Sequence, residues 1–427
     1  MLASIKRRAG LLALSLYWGG VSMAQSDQQV EVSGFAELDH ISYFHQQAGK
    51  VNARNQGIIQ LELEGSHKSL SYFGAIEFRN DMADPARNRL WIDELYLSYR
   101  AKNYDLVLGK KIHTWGSTDG FSPVNVINPT DYSDMLDTDD ETIGVYSASL
   151  KYYLGNHYVE SVFVPVFQPS VIPQADSRWY PTQPSVAPVG DGVVPVRYSL
   201  LAPEPVPRDI RSFQVATRLG GYVGAVDYNV NYYHGYDDIP YFYQYPELQD
   251  DTLQMGLQQR YHKMQLVGVD LSAVVGGLVL KGEYAYIHQR APEGQDWYMG
   301  APYHYAVAGL DKNVIDVVGE VDVLLTAQFI YQHIVTSYEV SSFYFNHIFQ
   351  RALMLRAAID FTNRLNLETT AIYDFHEGHY VVMPELTYAP QGGLNISLKS
   401  YLTGGQEESL FGSYANNRLQ LLARYYF

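Results

Sequence analysis

Eight residues in one stretch of the chain could contact a solute or fix a loop. They are Lys110, Lys111, His113, Trp115, Gly116, Asn128, Pro129 and Asp131. Lysine and histidine side chains donate hydrogen bonds that a solute could accept. The Asn-Pro-x-Asp spacing predicts a rigid loop, because proline fixes its own φ and Asn and Asp side chains can bond nearby backbone N–H groups.

The elements that position this stretch follow a two-residue period. Within residues 353–361, for example, apolar side chains alternate with Met354, Arg356 and Asp360. Alternation of this kind runs along the chain and predicts about eighteen strands of ~10 residues each, or sixteen if residues 303–327 are divided differently. A soluble β-sandwich would alternate in the same way, so the period alone does not separate the two folds.

The two ends of the chain favour a membrane barrel. Lys6, Arg7 and Arg8 precede a short apolar run, and Ser22-Met23-Ala24 supplies small residues before a cut, which predicts a signal peptide over residues 1–24. The barrel would then occupy residues 25–427. The last ten residues alternate and stop on Phe427, which resembles the aromatic-ended signal that the barrel-assembly machinery reads in outer-membrane barrels. The absence of cysteine excludes a disulfide framework.

Short and long connections alternate along the chain, as they do in outer-membrane barrels with short periplasmic turns and long external loops. The long loops are predicted at residues 114–143, 168–209 and 237–258. The short turns are predicted at His67-Lys68-Ser69, Lys102-Asn103, Gly155-Asn156, Gly220-Gly221, Gly276-Gly277, Asn363-Arg364 and Gln391-Gly392-Gly393. The sequence therefore predicts an all-β, transmembrane antiparallel β-barrel.

In such a barrel the polar side of each strand faces the lumen, and charges of both signs lie there. Two interpretations stay open: opposed charges can orient a solute and set selectivity, or they can pair with each other as struts from one wall to the other. The candidates are Glu62, Glu64, Glu77, Arg79, Glu94, Arg356, Asp360, Glu368, Glu385, Lys399 and Arg424.

The Trp-Gly and Asn-Pro-x-Asp stretch resembles a family of uncharacterised proteobacterial outer-membrane, porin-like β-barrels that is distantly similar to alginate-export porins. In that family Gly-[Lys/Arg]-Gln precedes Trp-Gly, and this chain has Lys111 where Gln is usual. The resemblance implies a barrel with an inward-folded loop and passage of a hydrophobic or organic solute.

The Asn-Pro-x-Asp loop can then be interpreted in two ways. Asn128, Pro129 and Asp131 could only pin the loop against the barrel wall. Alternatively, the pinned loop narrows the pore, and Lys110, Lys111 and His113 join Asn128 and Asp131 as pore-constriction candidates. A passive outer-membrane channel for small organic or hydrophobic solutes is the favoured function. A surface adhesin or receptor barrel and an outer-membrane hydrolase are its rivals.

Other functional classes are disfavoured. The formal charge of −16 argues against nucleic acid as a partner, because its phosphates require Lys and Arg. The acidic run at residues 137–141 lacks the EF-hand pattern, and residues 374–379 lack His-Glu-x-x-His, so no metal or other cofactor is expected. The expected partners are outer-membrane lipid, lipopolysaccharide, the barrel-assembly machinery and a small-molecule solute.

Overall fold

The computed structural model describes residues 28–47, 50–136, 142–173, 177–180, 185–290, 301–335, 347–406, 409–413 and 416–427. The signal peptide predicted for residues 1–24 lies outside these ranges and stays a prediction. No helix within the described ranges is long and apolar enough to cross a membrane.

Strands make up most of the described chain, which also contains one short helix and two 3₁₀ turns. The strands are β1 (Gln28–Tyr43), β2 (Ala53–His67), β3 (Leu70–Asp81), β4 (Arg89–Arg100), β5 (Tyr104–Lys111), β6 (Val145–Leu154), β7 (His157–Val164), β8 (Val186–Val189), β9 (Gly192–Leu200), β10 (Gln214–Val223), β11 (Val226–Tyr236), β12 (Tyr241–Gln249), β13 (Thr252–Arg260), β14 (Lys263–Val275), β15 (Leu278–Arg290), β16 (Tyr303–Val314), β17 (Asp322–Ile334), β18 (Arg351–Thr362), β19 (Leu365–Asp374), β20 (His379–Tyr388), β21 (Leu394–Gly404) and β22 (Arg418–Tyr426). The helix is α1 (Leu410–Ser413), and the 3₁₀ turns are Pro85–Arg87 and Ile210–Ser212.

Eighteen of the described strands form one closed antiparallel barrel, which confirms the predicted fold class and the larger strand count. The barrel strands are β1 to β7, β10, β11 and β14 to β22. The barrel closes where β22 pairs with β1, from Phe35 opposite Tyr426 to Tyr43 opposite Arg418. Phe427 and Gly34 exchange backbone hydrogen bonds of 3.0 and 3.1 Å at the end of this pair, so the aromatic terminus lies beside the first strand.

The two faces of the barrel wall differ in polarity. In β22, Leu421 is 51% exposed on the outside, whereas the adjacent Gln420 is 6% exposed and faces inward. The same rule leaves Leu61 of β2 and Ile76 of β3 exposed beside buried Gln60 and Glu77. An apolar outer face with polar inward positions is the pattern of a barrel surrounded by lipid.

The connections follow the predicted alternation with one error. Gly220 and Gly221 do not form a turn: they lie inside β10, and the turn to β11 falls at residues 224–225. A Cβ on Gly220 would collide with the side chains of Asn229 and Tyr158, so this glycine permits close packing rather than a chain reversal. The ambiguous residues 303–327 divide into β16 and β17 with residues 315–321 between them.

Part of the predicted external loops is ordered as a second sheet. The connection predicted at residues 237–258 contains the hairpin β12–β13, and the connection predicted at 168–209 contains β8 and β9. Strand β13 pairs in parallel with β9, so the two connections form a four-stranded sheet outside the barrel.

Candidate pore constriction

The connection between β5 and β6 lies against the inner wall of the barrel. Its described part, residues 112–136 and 142–144, is called the lumen segment below. Trp115, Val124 and Ile127 of this segment pack in one cluster with inward residues of the opposite wall, such as Leu266 of β14 and Ile287 of β15. The apolar side chains of the segment therefore replace water inside the barrel with a packed core.

Glu283 of β15 anchors the first part of the lumen segment. Its Oε1 accepts hydrogen bonds from Ser117 N at 2.5 Å, Thr118 N at 2.6 Å and Thr118 Oγ1 at 2.7 Å. Its Oε2 accepts one from Ser122 Oγ at 2.6 Å. Gly116 has φ +97°, and a Cβ there would collide with Ser122 and Glu283, so the Trp-Gly pair lets the backbone wrap around one buried carboxylate.

A lysine beside this carboxylate binds the next residues of the segment. Lys281 Nζ lies 2.8 Å from Asp119 of the lumen segment and 2.8 Å from Asp311 of β16. Because Lys281 and Glu283 are two residues apart on one strand, both face inward and hold the same turn of the segment.

Asn128 joins the two ends of the lumen segment. Its Oδ1 accepts a hydrogen bond from His113 N at 2.7 Å, and its Nδ2 donates to Ile143 O at 2.7 Å and to Lys111 O at 3.2 Å. Ile143 N also donates to Pro129 O at 2.8 Å. These contacts support the interpretation of the Asn-Pro-x-Asp motif as a loop anchor.

Asp131 extends the anchor to the neighbouring wall. It accepts hydrogen bonds from Arg89 Nη1 at 2.9 Å and from Ser133 N at 3.0 Å. Burial opposes ionisation of Asp131, but the hydrogen bonds from Ser133 and the charges of Arg89 and Arg87 outweigh it and lower the pKa of Asp131. The carboxylate therefore stays ionised against the wall.

A second acidic residue of the segment binds the strands at the barrel closure. Asp134 Oδ2 lies 3.0 Å from Arg54 of β2 and 2.6 Å from Arg418 of β22, and its Oδ1 accepts a hydrogen bond from Trp179 Nε1 at 3.0 Å. Burial opposes ionisation of Asp134, but Arg418, Arg54 and Arg87 lower its pKa well below the ordinary range. One carboxylate thus links the lumen segment to both sides of the barrel closure.

The three basic candidates at the start of the segment lie against the wall. Lys110 Nζ is 4.3 Å from the ring centroid of Trp91, and Lys111 Nζ is 4.0 Å from that of Tyr96. His113 is buried, and its Nε2 is 2.8 Å from Ser147 Oγ. Burial, followed by the charges of Lys111 and Arg218, lowers the pKa of His113 to about 3, so its imidazole is neutral at neutral pH.

The predicted lumen-facing charges differ in exposure. Glu64 and Asp360 are exposed, while the others are buried or half-buried: Glu62, Glu77, Arg79, Glu94, Arg356, Glu368, Glu385, Lys399 and Arg424. Many form pairs within the wall, at 3.1 Å for Glu77–Arg79, 2.9 Å for Glu368–Arg356, 3.6 Å for Glu385–Lys399 and 2.5 Å for Glu37–Arg424. Each of these pairs joins residues of one strand or of neighbouring strands, so the paired charges compensate each other within the wall.

A cavity of about 450 Å³ lies between the lumen segment and the wall formed by β15 to β21. Its described lining includes Asn128 but none of the other constriction candidates Lys110, Lys111, His113 and Asp131. Apolar and aromatic residues dominate the lining, with a few charged groups. This size and composition are those of small-molecule sites in proteins.

A hydrogen-bonded contact between loops at the cavity involves the buried carboxyl group of Asp238, whose pKa is raised. Ser170 Oγ donates a hydrogen bond to Asp238, and Thr130 N donates to Ser170 Oγ at 2.8 Å, which links the β7–β10 and β11–β12 connections to the lumen segment. Burial raises the pKa of Asp238 to about 6, although hydrogen bonds from Ser170 and the backbone oppose the shift.

Ionisation of the buried Asp238 should destabilise the packing of these loops as the pH rises from about 4 to 6. Because the folded-state pKa of Asp238 lies above its unfolded value, its stabilising contribution is present below the unfolded pKa and is lost as pH rises through the folded one. Protease cleavage of the external connections should therefore be slower at pH 4 than at pH 7. Asp238→Asn should abolish this difference; an Asn variant with the same pH dependence would contradict the assignment.

Loosening the Asn-Pro anchor should widen the passage. Asn128→Gly combined with Pro129→Gly removes the hydrogen bonds that join the two ends of the segment and frees the backbone. We expect higher single-channel conductance in planar bilayers. The control is heat-modifiable migration on SDS gels, which reports the folded barrel; unchanged conductance of a correctly assembled variant would contradict the anchoring role.

Several residues of this site carry no signal in the sequence. Glu283, Lys281, Arg54 and Arg418 are ordinary inward charges of alternating strands, and Asp134 is one of several acidic residues in its loop. Alternation could have placed the strand residues on the inner face. It could not have paired Glu283 with a segment more than 160 residues away.

The structure describes one of the two loops considered for metal binding. The run at residues 137–141 lies outside the described residues. At residues 374–379, the Asp374 carboxylate accepts hydrogen bonds from His376 N at 2.7 Å and Glu377 N at 2.9 Å and so shapes a turn. The part of the chain that the structure describes contains no group of three or more His, Cys, Asp or Glu that could hold a metal ion.

No protein-family model matches this chain, and neither does any curated protein. Solved structures do match. OccK3 (OpdO) from Pseudomonas aeruginosa is 11% identical with a TM-score of 0.53, and the match covers 93% of this chain and 95% of that one. OmpT, an outer membrane protein of Vibrio cholerae in its trimer form, is 10% identical with a TM-score of 0.45, covering 94% and 100%. A mutant of the porin from Rh. blastica is 8% identical with a TM-score of 0.44, covering 93% and 100%.

At such low identity, the likeness to OccK3 bears on the fold alone. It supports the predicted porin-like barrel, while the distant similarity to alginate-export porins stays a prediction. The chain therefore has the fold of an outer-membrane β-barrel: a closed antiparallel wall of 18 described strands with a segment of its own chain packed inside.

Proposed function

We propose that the protein is a passive outer-membrane channel for small organic or hydrophobic solutes, with the lumen segment as its constriction. The observation that carries this proposal is the anchoring of the segment on Glu283, which leaves a cavity of about 450 Å³ beside it. A segment that only capped the barrel from outside would not need a buried carboxylate on the inner wall.

The proposed location and partners follow from the outer surface and the closing strand. The exposed apolar rows of the barrel strands suit the lipid of the outer membrane, with lipopolysaccharide in its outer leaflet. The aromatic terminus at Phe427 suits recognition by the barrel-assembly machinery. Transport would proceed by diffusion, without a chemical step or a cofactor.

Reconstitution in planar bilayers tests the channel directly. Folded protein should produce stepwise ion currents, and liposomes that contain it should swell in small neutral sugars. Neither current nor solute entry with correctly folded protein would refute the channel and favour an adhesin or receptor.

The wall pairs predict weak ion selectivity. Because Glu368 is paired with Arg356 and Glu385 with Lys399, the charges on the β18 to β21 side of the cavity compensate each other. In a KCl gradient we expect a current reversal close to zero voltage. A large reversal potential would contradict this compensation, and Lys399→Met, which removes the positive charge beside Glu385, should shift the reversal towards cation selectivity.

A further inference from the structure

The cavity beside the lumen segment has an apolar region built from rings. Phe121 of the lumen segment meets Phe349 edge to face, with ring centroids 5.3 Å apart and an interplanar angle of 82°. Phe349 stacks on Phe411 of α1 at 5.7 Å and 26°. Tyr305 of β16 and Met354 of β18 complete this region of the lining. Phe121, Tyr305, Phe349 and Met354 are called the ring patch below.

The ring patch is open to the cavity. Phe121, Tyr305 and Phe349 are each only partly buried, although they pack on a buried apolar cluster that includes Ile330 and Ile372. The buried cluster fixes one side of each ring, and the remaining part of each ring faces the cavity. Aromatic rings favour offset-stacked and edge-to-face contacts with another ring, and a methionine sulfur adds favourable contacts with a ring edge.

A polar region lies further along the same strands. Met354 is opposite Ile372 in the β18–β19 pair, and Glu368 is four residues before Ile372 on β19. At about 3.3 Å per residue, the row that contains Glu368 lies about 13 Å from the Met354 row. Glu385 and Lys399 continue this row, because Glu368 is opposite Glu385 and Glu385 is opposite Lys399.

The charges of the polar region cancel. Glu368 lies 2.9 Å from Arg356, and Glu385 lies 3.6 Å from Lys399. A charged ligand would lose its hydration without gaining an uncompensated partner, whereas hydroxyl groups can donate to the carboxylates and accept from the lysine. The lining therefore combines a surface for a ring with hydrogen-bonding groups for an uncharged polar end.

We propose that this cavity is a binding site for uncharged aromatic solutes that carry hydroxyl groups. The ring lies on the ring patch, and the hydroxyl groups point to the row of Glu368, Glu385 and Lys399. This inference rests on the proposed channel function and names the solute class of the same lumen.

Three glucosides test whether the site recognises an aromatic ring, rather than the size of the ligand or the apolar surface that it buries. The probes are phenyl, cyclohexyl and methyl β-D-glucopyranoside, titrated calorimetrically into the full-length folded barrel in detergent. We expect the phenyl glucoside to bind more tightly than the other two. Equal binding of the phenyl and cyclohexyl glucosides would overturn the assignment to an aromatic ring, and phenyl binding no tighter than methyl would overturn the site.

A pair of matched substitutions tests whether the phenyl ring of the ligand binds against Phe349. Phe349→Leu keeps an apolar side chain but removes the ring, and should weaken phenyl glucoside binding about tenfold while leaving methyl glucoside unchanged. The control is Phe375→Leu, because Phe375 is an exposed ring in the β19–β20 turn that contacts Tyr373. Should Phe349→Leu fail to fold, Phe121→Leu provides the same comparison. Equal losses of affinity for the phenyl glucoside in the Phe375 and Phe349 variants would overturn the placement of its ring on Phe349.

Bilayer recordings distinguish the proposed channel function from the proposed aromatic binding site. The phenyl glucoside should interrupt the ion current of single channels for longer than the methyl glucoside does. Ion current with no selective binding would overturn the aromatic site and leave the channel standing. Selective binding by a folded barrel that passes no current would overturn the channel and leave the site standing.

Discussion

Replacing Glu283 with alanine should release the lumen segment and raise the single-channel conductance several-fold. The carboxylate accepts hydrogen bonds from Ser117, Thr118 and Ser122, and hydrogen bonds to a charged group contribute about 1.5–3 kcal/mol each. Without it, the backbone N–H groups of Ser117 and Thr118 lose their acceptor, so detachment of this part of the segment becomes the lower-energy state. Planar-bilayer recording measures the change.

Two further variants show whether the effect belongs to this carboxylate. Glu283→Gln keeps the shape but replaces one acceptor oxygen with a donor, so its conductance should fall between wild type and Glu283→Ala. Glu368→Ala removes an inward glutamate that pairs with Arg356 across β18 and β19, and should leave the segment in place. Equal conductance of wild type and Glu283→Ala barrels would contradict the anchoring by Glu283.

Replacing Asp134 with alanine should destabilise the folded barrel by about 3–5 kcal/mol, because the buried Arg418 loses this carboxylate partner, whereas Arg54 keeps Asp81 at 3.2 Å. Arg54 and Arg418 both lie within 3.0 Å of this carboxylate and are almost completely buried. The expected result is a lower temperature for conversion of the folded to the unfolded band on SDS gels.

An exposed ion pair provides the matched control. Asp209 lies 2.7 Å from Arg211, with both side chains largely in solvent, so Asp209→Ala should change the conversion temperature little. The pKa of Asp134 is depressed, so its contribution is present above the ordinary carboxyl pKa and is lost only as the pH falls towards the depressed value. An Asp134→Ala barrel as stable as the Asp209→Ala barrel would contradict the role of this carboxylate.

The barrel could be predicted from the sequence because its signals are local. Alternation places Leu421 outward and Gln420 inward through strand geometry alone, and short turns such as Asn363-Arg364 join neighbouring strands. The Gly220-Gly221 error has the same origin, since a glycine pair that admits close packing inside a strand resembles a turn in sequence.

The site could be predicted only in part because its decisive contacts join distant residues. Asn128 was identifiable, since its partners at His113 and Ile143 lie 15 residues away in the same loop. The pairing of Glu283 with Ser122 spans 161 residues, and no local pattern encodes it. Burial of His113 depends on contacts such as that with Ser147, 34 residues later, so its neutral state was not apparent from its place near two lysines.

The position of Arg418 has a consequence for the order in which the molecule is assembled. Arg418 belongs to the last strand of the chain, and its partner Asp134 is 284 residues earlier, inside the barrel. Gln420 and Arg424 of the same strand bind Asp39 and Glu37 of the first strand across separations of 381 and 387 residues. Contacts of such long range form late and slowly. The native contacts of the segment are therefore completed only when the final strand is in place.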